Sequence, residues 1–428
     1  MIMKTSELLL KFSDSCQMLG ASKITTHRFA TELTYLLFLK MIDEKELEAC
    51  LPEKYSWASL VKKQGIELKR FYNELLTNLS ENYNSVTRQI YVGSHSSIAE
   101  PKNLEKMIRC IDALDWYEAK TEGLAITFEK LLDKVVAENK NAADFFFTPK
   151  RLIDLMVILL APQPGERCND PVCGTFDFMI AADQFVKAQT DNNFMLPLEA
   201  QEFQICQAFT GCEAIHESQR LGLMNAFLHD LEGEITLGDV MSSQGQKLKN
   251  YDLILTNLVF ETKHEMELTT RKDLTYPTKE RALNILQHIY RSLKADGNAR
   301  AGVILTDAVL ANETEGIAIR HDLMNKCDLQ QVLFLPAGLF GANDQGSSVL
   351  FFTRGQTEKN NTKEVWFYDL HTGINPCEKA FESKHFNAVK KAFTAKNRHK
   401  IKDIRFFCRS RDVLRNNYER LDYHSINR

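Results

Sequence analysis

Apolar positions in the first third of the chain recur at three- and four-residue spacing. In FATELTYLLFLKMIDEKELE, Phe29, Leu33, Leu36 and Leu37, continuing through 40–42, share a helical face. LAITFEKLLDKVVAENKN repeats the amphipathic pattern. Glycine is rare there and β-branched runs are few, so residues 1–140 are predicted to form an all-helical domain. The texture changes at Phe145. Thr148-Pro149 predicts a helix start, with Thr as N-cap and Pro at the first helical position. Leu152, Leu155, Met156 and Leu159 then give one apolar face, stopped by Pro162 and Pro164. Beyond this, short apolar runs at 167–169, 209–212, 253–256, 302–306, 332–335 and 349–353 alternate with helical stretches. That alternation predicts an α/β domain over 141–383, a parallel sheet with helices on both faces. The loop AGLFGANDQGSS joins the last two runs without a helix, which predicts an antiparallel hairpin, extended by 365–368. Residues 384–428 read as a helical tail. No internal repeat is visible.

Composition narrows the class. The 428 residues allow about two to four domains at roughly 100–200 residues each. With 44% apolar and 26% charged residues, collagen-like, coiled-coil and wholly disordered chains are excluded. The longest apolar run, at 155–161, is far short of the roughly 20 residues that span a bilayer. The first 16 residues turn polar too soon for a signal peptide, so a cytoplasmic protein is expected. None of the ten cysteines forms a CxxC pair or a zinc-spaced Cys/His cluster, so free thiols and no metal are expected. HExxH, GxxxxGK[ST], GxSxG and GxGxxG are all missing, which removes support for metalloprotease, P-loop, serine-hydrolase and dinucleotide readings. The net charge of −4 is uneven. Residues 384–428 hold 13 Lys and Arg against 4 Asp and Glu, a charge of +9, leaving −13 on the rest. Such a tail is either a solvated helical face or a contact for nucleic acid or an acidic partner.

In open α/β sheets, ligands sit beyond the carboxyl ends of the strands. Asp170-Pro171-Val172-Cys173-Gly174-Thr175-Phe176-Asp177-Phe178 follows the first strand and Glu213 the second. Gly238-Asp239 follows a third, and Asn257-Leu258-Val259-Phe260 a fourth. An acid after a strand is commonly a cap or a surface residue. The order and spacing of the set are what make it specific. Cys173 is read as a packing residue, His216, His229 and His264 as surface or helix residues, and Trp57, Trp116 and Trp366 as core or interface residues.

With those residues in view, the chain resembles the modification (M) subunit of type I restriction–modification systems, a class of adenine-N6 DNA methyltransferases. The resemblance runs along nearly the whole chain, through TYLLFLKMIDE, FFFTPKRLIDLM, DPVCGT, FTGCEAIHESQRLGLMNAFLHDLEG, YDLILTN, LPAGLF, SSVLFF and VWFYDL. It implies a Rossmann-like, doubly wound methyltransferase sheet and S-adenosylmethionine (SAM) as methyl donor. By that resemblance Glu213 would accept the ribose hydroxyls, Asp239 would face the cofactor's adenine and Asp170 its methionine part. Gly174 and Thr175 would belong to the cofactor loop, and Phe147 and Thr148 would close the pocket. Asn257 and the Leu258 carbonyl would hold the target amine, and Phe260 would stack on the flipped base. The expected partners are DNA, a specificity (S) subunit, a second M subunit and the restriction subunit, with no membrane. Many family members are longer, and the family docks its specificity subunit in the C-terminal part, so docking is expected to be altered.

Two departures fall at the site. The family's loop reads roughly D-P-x-x-G-T-x-G-F, and here Phe176 and Asp177 stand where small residues are expected. Bulk and negative charge there are expected to weaken SAM binding, unless Phe176 turns into the core. The family's catalytic N-P-P-F or N-P-P-Y is here Asn257-Leu258-Val259-Phe260. Two rigid prolines are lost and two N–H groups that need partners are gained. The alternative to an active methylase is therefore a non-catalytic relative that keeps partner and DNA binding. An unrelated dehydrogenase is disfavoured by the missing glycine fingerprint.

Overall fold

The computed structural model describes residues 26–44, 53–81, 85–113, 148–259, 271–340, 346–371 and 383–426. The helix expected over 124–141 lies outside them, as do Trp116, Phe147, Phe260 and His264. The chain divides into two compact units, Met1–Phe145 with His216–Asp230, and Phe146–Ile215 with Leu231–Arg428.

The first unit is helical in its described residues. Helix Gly65–Glu81 buries Leu68, Phe71, Tyr72, Leu75, Leu76 and Leu79, a single face at three- and four-residue spacing. Helix Pro101–Asp112, with Pro at its first turn, does the same with Leu104, Met107, Ile108 and Ile111. Helix Thr26–Glu44 differs from its expected one-faced pattern, being buried on every side from Glu32 to Ile42. Its polar residues are accordingly paired. Glu32 accepts the Tyr72 hydroxyl at 2.9 Å and the Ser97 N–H, and Lys40 reaches Glu44 at 2.9 Å. Helix His216–Leu228, expected with the sheet domain, clusters here. Phe227 meets Phe38 edge-on at 4.9 Å, and Arg220 donates to the Val92 carbonyl.

The second unit is built on a nine-stranded sheet of order β3-β2-β1-β4-β5-β7-β6-β8-β9. The strands are β1 Cys168–Asp170, β2 Phe209–Glu213, β3 Glu234–Leu237, β4 Leu253–Asn257 and β5 Arg300–Thr306, followed by β6 Cys327–Leu335, β7 Ser347–Arg354, β8 Glu364–Asp369 and β9 Phe406–Ser410. β1 to β5 are mutually parallel. The expected β6–β7 antiparallel pair is present, with β7 slotted between β5 and β6. β8 extends the sheet parallel to β6. The central strands are continuous buried runs because their two faces are covered.

Two expectations are corrected. The segment after residue 384 is not a separate helical tail, since it supplies β9, antiparallel to β8, besides helix Ser383–Phe393 and shorter helical pieces. Thr148 is not the N-cap of the helix that follows. That helix runs Lys150–Leu160 with Pro149 at the cap position and no side-chain cap bond. The Thr148 hydroxyl accepts from Asn257 instead, at 3.0 Å.

Candidate active site

The strand order reverses between β1 and β4, so the crevice for a ligand opens at the carboxyl ends of these two strands. β1 ends in Asp170, which is 1% exposed and accepts the Val172 N–H at 3.1 Å. Burial pushes its carboxyl up to about 7. The chain then turns tightly, with Gly174 at φ +50° and Phe176 at φ +69°, and the Phe176 N–H returns to the Cys173 carbonyl at 2.7 Å. A non-glycine residue in the left-handed region is unusual. Here the ring is fully buried. A Cβ placed on Gly211 would lie 2.9 Å from the Phe176 ring and 2.8 Å from Cys173 Sγ, and one on Gly233 would lie 3.4 Å from the ring. Gly211 thus leaves the room that the ring fills, while Gly233 is held free of a side chain by the Phe209 carbonyl, 2.4 Å from where its Cβ would stand. Phe176 therefore points into the core and not into the loop's mouth, and a Cβ added at Gly174 meets nothing within 4 Å. Asp177 opens helix Asp177–Gln189, where a carboxylate complements the helix N-terminus, and accepts the Thr175 hydroxyl at 2.5 Å. Cys173 is buried, which raises its thiol far above the ordinary value and fits packing.

β2 ends in Glu213, 7% exposed. Its two oxygens accept the N–H groups of Gly174 at 2.9 Å and Ile215 at 2.8 Å, so it buckles the loop after β1 to the end of β2. Asp239, past β3, takes the Met241 N–H at 2.7 Å and a two-pronged pair with Arg281 at 2.7 and 3.0 Å. Burial works to raise its pKa, but the Arg281 hydrogen bonds and charge, with the Met241 N–H, outweigh it and hold it below the usual carboxylate range. Arg281 was not legible as a site residue. It opens helix Arg281–Ser292, 42 residues from its partner, with no local pattern to mark it.

β4 ends in Asn257, whose Nδ2 donates to Thr148 Oγ1 while its Oδ1 accepts the Val259 N–H at 3.0 Å. The Leu258 N–H goes to the Ile304 carbonyl at 2.9 Å, one step beyond the β4–β5 ladder. Both N–H groups that prolines would have lacked are therefore satisfied, and both side chains are buried, Leu258 completely. The structure thus brings Asp170, Gly174, Thr175, Glu213, Asp239, Asn257 and Thr148 to the carboxyl ends of neighbouring strands. Among the described residues, no group of His, Cys, Asp and Glu is arranged to hold a metal ion.

Comparison with known proteins gives a consistent picture. Residues 120–424 match the N-6 DNA Methylase family. The chain is 37% identical over 388 residues to the StySPI methylase subunit of a type I restriction enzyme from Salmonella potsdam, covering 87% of this chain and 73% of that one. It is 35% identical over 409 residues to the EcoKI methylase subunit of Escherichia coli strain K12, covering 91% and 77%. The crystal structure of the EcoKI M protein aligns over 97% of this chain and 88% of that one with a TM-score of 0.59. A type I methyltransferase subunit from Streptococcus thermophilus shares the fold at a TM-score of 0.75 and 16% identity, over 99% of both chains.

Proposed function

The chain belongs to the N-6 DNA methylase family, alongside the methylase subunits of type I restriction enzymes, and on that premise we propose that it transfers a methyl group from SAM to adenine N6 in DNA. The observation that carries this reading is Asn257 at the end of β4, tied to Thr148 across the crevice from Asp170 and Glu213.

The donor set suits SAM. Carboxylates end β1 and β2 and follow β3, matching in order an amino-acid part, a ribose diol and an adenine. The space before Gly174 is open, since the one bulky residue of the loop is buried beneath it. Bound SAM supplies an electrophilic methyl group on a sulfonium. Asp170 would hold the methionine part, Glu213 the ribose hydroxyls and Asp239 the adenine. Gly174 and Thr175 would line the loop, and Phe147 and Thr148 would close it. The exocyclic amine of adenine is a poor nucleophile and gains positive charge during attack. Asn257 Oδ1 and the Leu258 carbonyl would accept its two hydrogens, stabilise that charge and align the nitrogen. Phe260 would stack on the extruded base.

Sequence reading is assigned to a specificity subunit, with DNA, a second copy of this chain and the restriction subunit as the remaining partners. A second reading is a non-catalytic relative. It is favoured by the loss of both prolines beside Asn257 and by the hydrogen bond already on its oxygen. Titration calorimetry of SAM into the purified chain, alone and with its specificity subunit, tests the proposal. Saturable binding is expected, since the Phe176 ring lies in the core and leaves the loop's mouth open. No heat from a folded sample under either condition would sink the enzyme reading in favour of the second.

A further inference from the structure

The turn after β4 has a hydrogen bond that the proposed transfer does not call for. Asn257 Oδ1 accepts the N–H of Val259, two residues on, while Asn257 Nδ2 is engaged with Thr148 Oγ1. This is an Asx-turn, in which a side-chain oxygen folds back on its own backbone. It requires an N–H at position 259, which proline would not provide. The neighbouring Leu258 N–H plays no part, since it pairs with the Ile304 carbonyl. A single backbone donor therefore turns the carboxamide oxygen onto its own chain.

We infer that the Val259 N–H is an internal competitor for the target amine at Asn257 Oδ1. The inference rests on the reading of the site given above and deepens it. A carboxamide oxygen offers two lone pairs, and both a backbone amide and the adenine amine are N–H donors. One lone pair is already taken. The carboxamide plane is also fixed from both ends, by Thr148 at its nitrogen and by Val259 at its oxygen. An incoming amine must rotate the group, breaking both bonds, or donate to the remaining lone pair of a weakened acceptor. Either route lessens the stabilisation of positive charge as the methyl group moves. Val259 is thus a positioning residue that acts through Asn257 and sets the resting state of its oxygen.

Two substitutions separate the N–H from the side chain, since Val259→Pro removes the donor and Val259→Ala keeps it. In the complex with the specificity subunit, V259P is expected to raise kcat for methyl transfer from labelled SAM about tenfold, with KM for SAM unchanged. V259A, which keeps the N–H and trims only the buried side chain, supplies the reference rate that V259P is expected to exceed. Equal rates in the two variants would overturn the inference. Amide hydrogen exchange on the chain alone reads the bond without turnover. Asn257→Ala is expected to speed exchange at Val259 about tenfold while leaving Leu258 unchanged. Unaltered exchange at Val259 would overturn the inference even if V259P failed to fold. A chain that binds no SAM, yet whose Val259 exchange responds to N257A, would fail the transfer reading while upholding the bond.

Discussion

At the scale of single residues, Phe176 shows how a departure from an expected motif is absorbed. A left-handed backbone at a non-glycine residue costs about 1–2 kcal/mol. Losing a buried phenylalanine ring costs about 3–5 kcal/mol. Burial wins, and the ring is fully enclosed over Gly211 and Gly233. The expected obstruction of the cofactor loop is therefore a packing element. Phe176→Ala is expected to lower unfolding free energy in urea by about 3–5 kcal/mol. Phe176→Gly should regain about 1 kcal/mol of strain yet remain well below the wild type. Gly211→Ala should cost about 1–3 kcal/mol in the wild-type background and less in F176A, because the ring is one of the groups its Cβ would strike. Strict additivity of F176A and G211A would show that the ring does not occupy that space.

At the scale of elements, what the sequence concealed has a common cause. The buried central strands were legible because two covered faces demand uninterrupted apolar runs, as in LILTN and SSVLFF. The two strands that the sequence did not mark, β3 and β9, are the edges of the sheet. EITL buries only Ile235, and FFCRS is only partly covered. β6 was foreseen only over its last four residues because its first half is interrupted by Asp328, Gln330 and Gln331 and carries an irregularity between Leu329 and Gln331. The acids and Asn257 at the strand ends were legible by order and spacing. Arg281 and the Asx-turn were not, since a distant ion pair and a backbone donor leave no pattern in side-chain identities. β9 owes its place to Arg411, just after it, which is 3% exposed. Arg411 bonds Glu419 at 3.1 Å, the Met324 and His321 carbonyls at 3.0 and 3.3 Å, and Asn325 Oδ1 at 3.0 Å. Arg411→Leu is expected to cost about 3 kcal/mol by stranding buried acceptors. Arg411→Lys should rescue little, because an ammonium cannot span four acceptors set around a planar fork. A thermal melt of either variant matching the wild type would refute this anchoring role.

At the scale of the whole molecule, the uneven charge resolves into two populations. In the basic segment, Arg405, Arg411 and Arg420 are tied to Asp403, Glu419 and Asp422. Lys390, Lys391, Lys396, Lys400 and Lys402 are exposed and form the solvated face. In the acidic remainder, Asp170 is a carboxyl at the proposed site whose titration reaches neutral pH, raised to about 7 by burial. A carboxyl normally titrates near about 3.9. Its folded value thus lies above its unfolded value, so its contribution to stability is full below about pH 4 and is lost as pH rises toward about 7. Ligand binding has the opposite sense. SAM carries positive charge in its methionine part and favours the ionised carboxylate, so binding below pH 7 must first expel a proton. The SAM Kd of the wild type is expected to weaken as pH falls through 7, by up to about tenfold per unit. Asp170→Asn should bind more weakly at pH 8 and flatten the profile between pH 6 and 8. The same substitution should remove the loss of thermal stability between pH 5 and 7 in the unliganded chain. Parallel Kd profiles for wild type and D170N would mean that Asp170 does not face the cationic part of the cofactor. A flattened stability profile beside parallel binding would then leave it as a buried acid with a purely structural role.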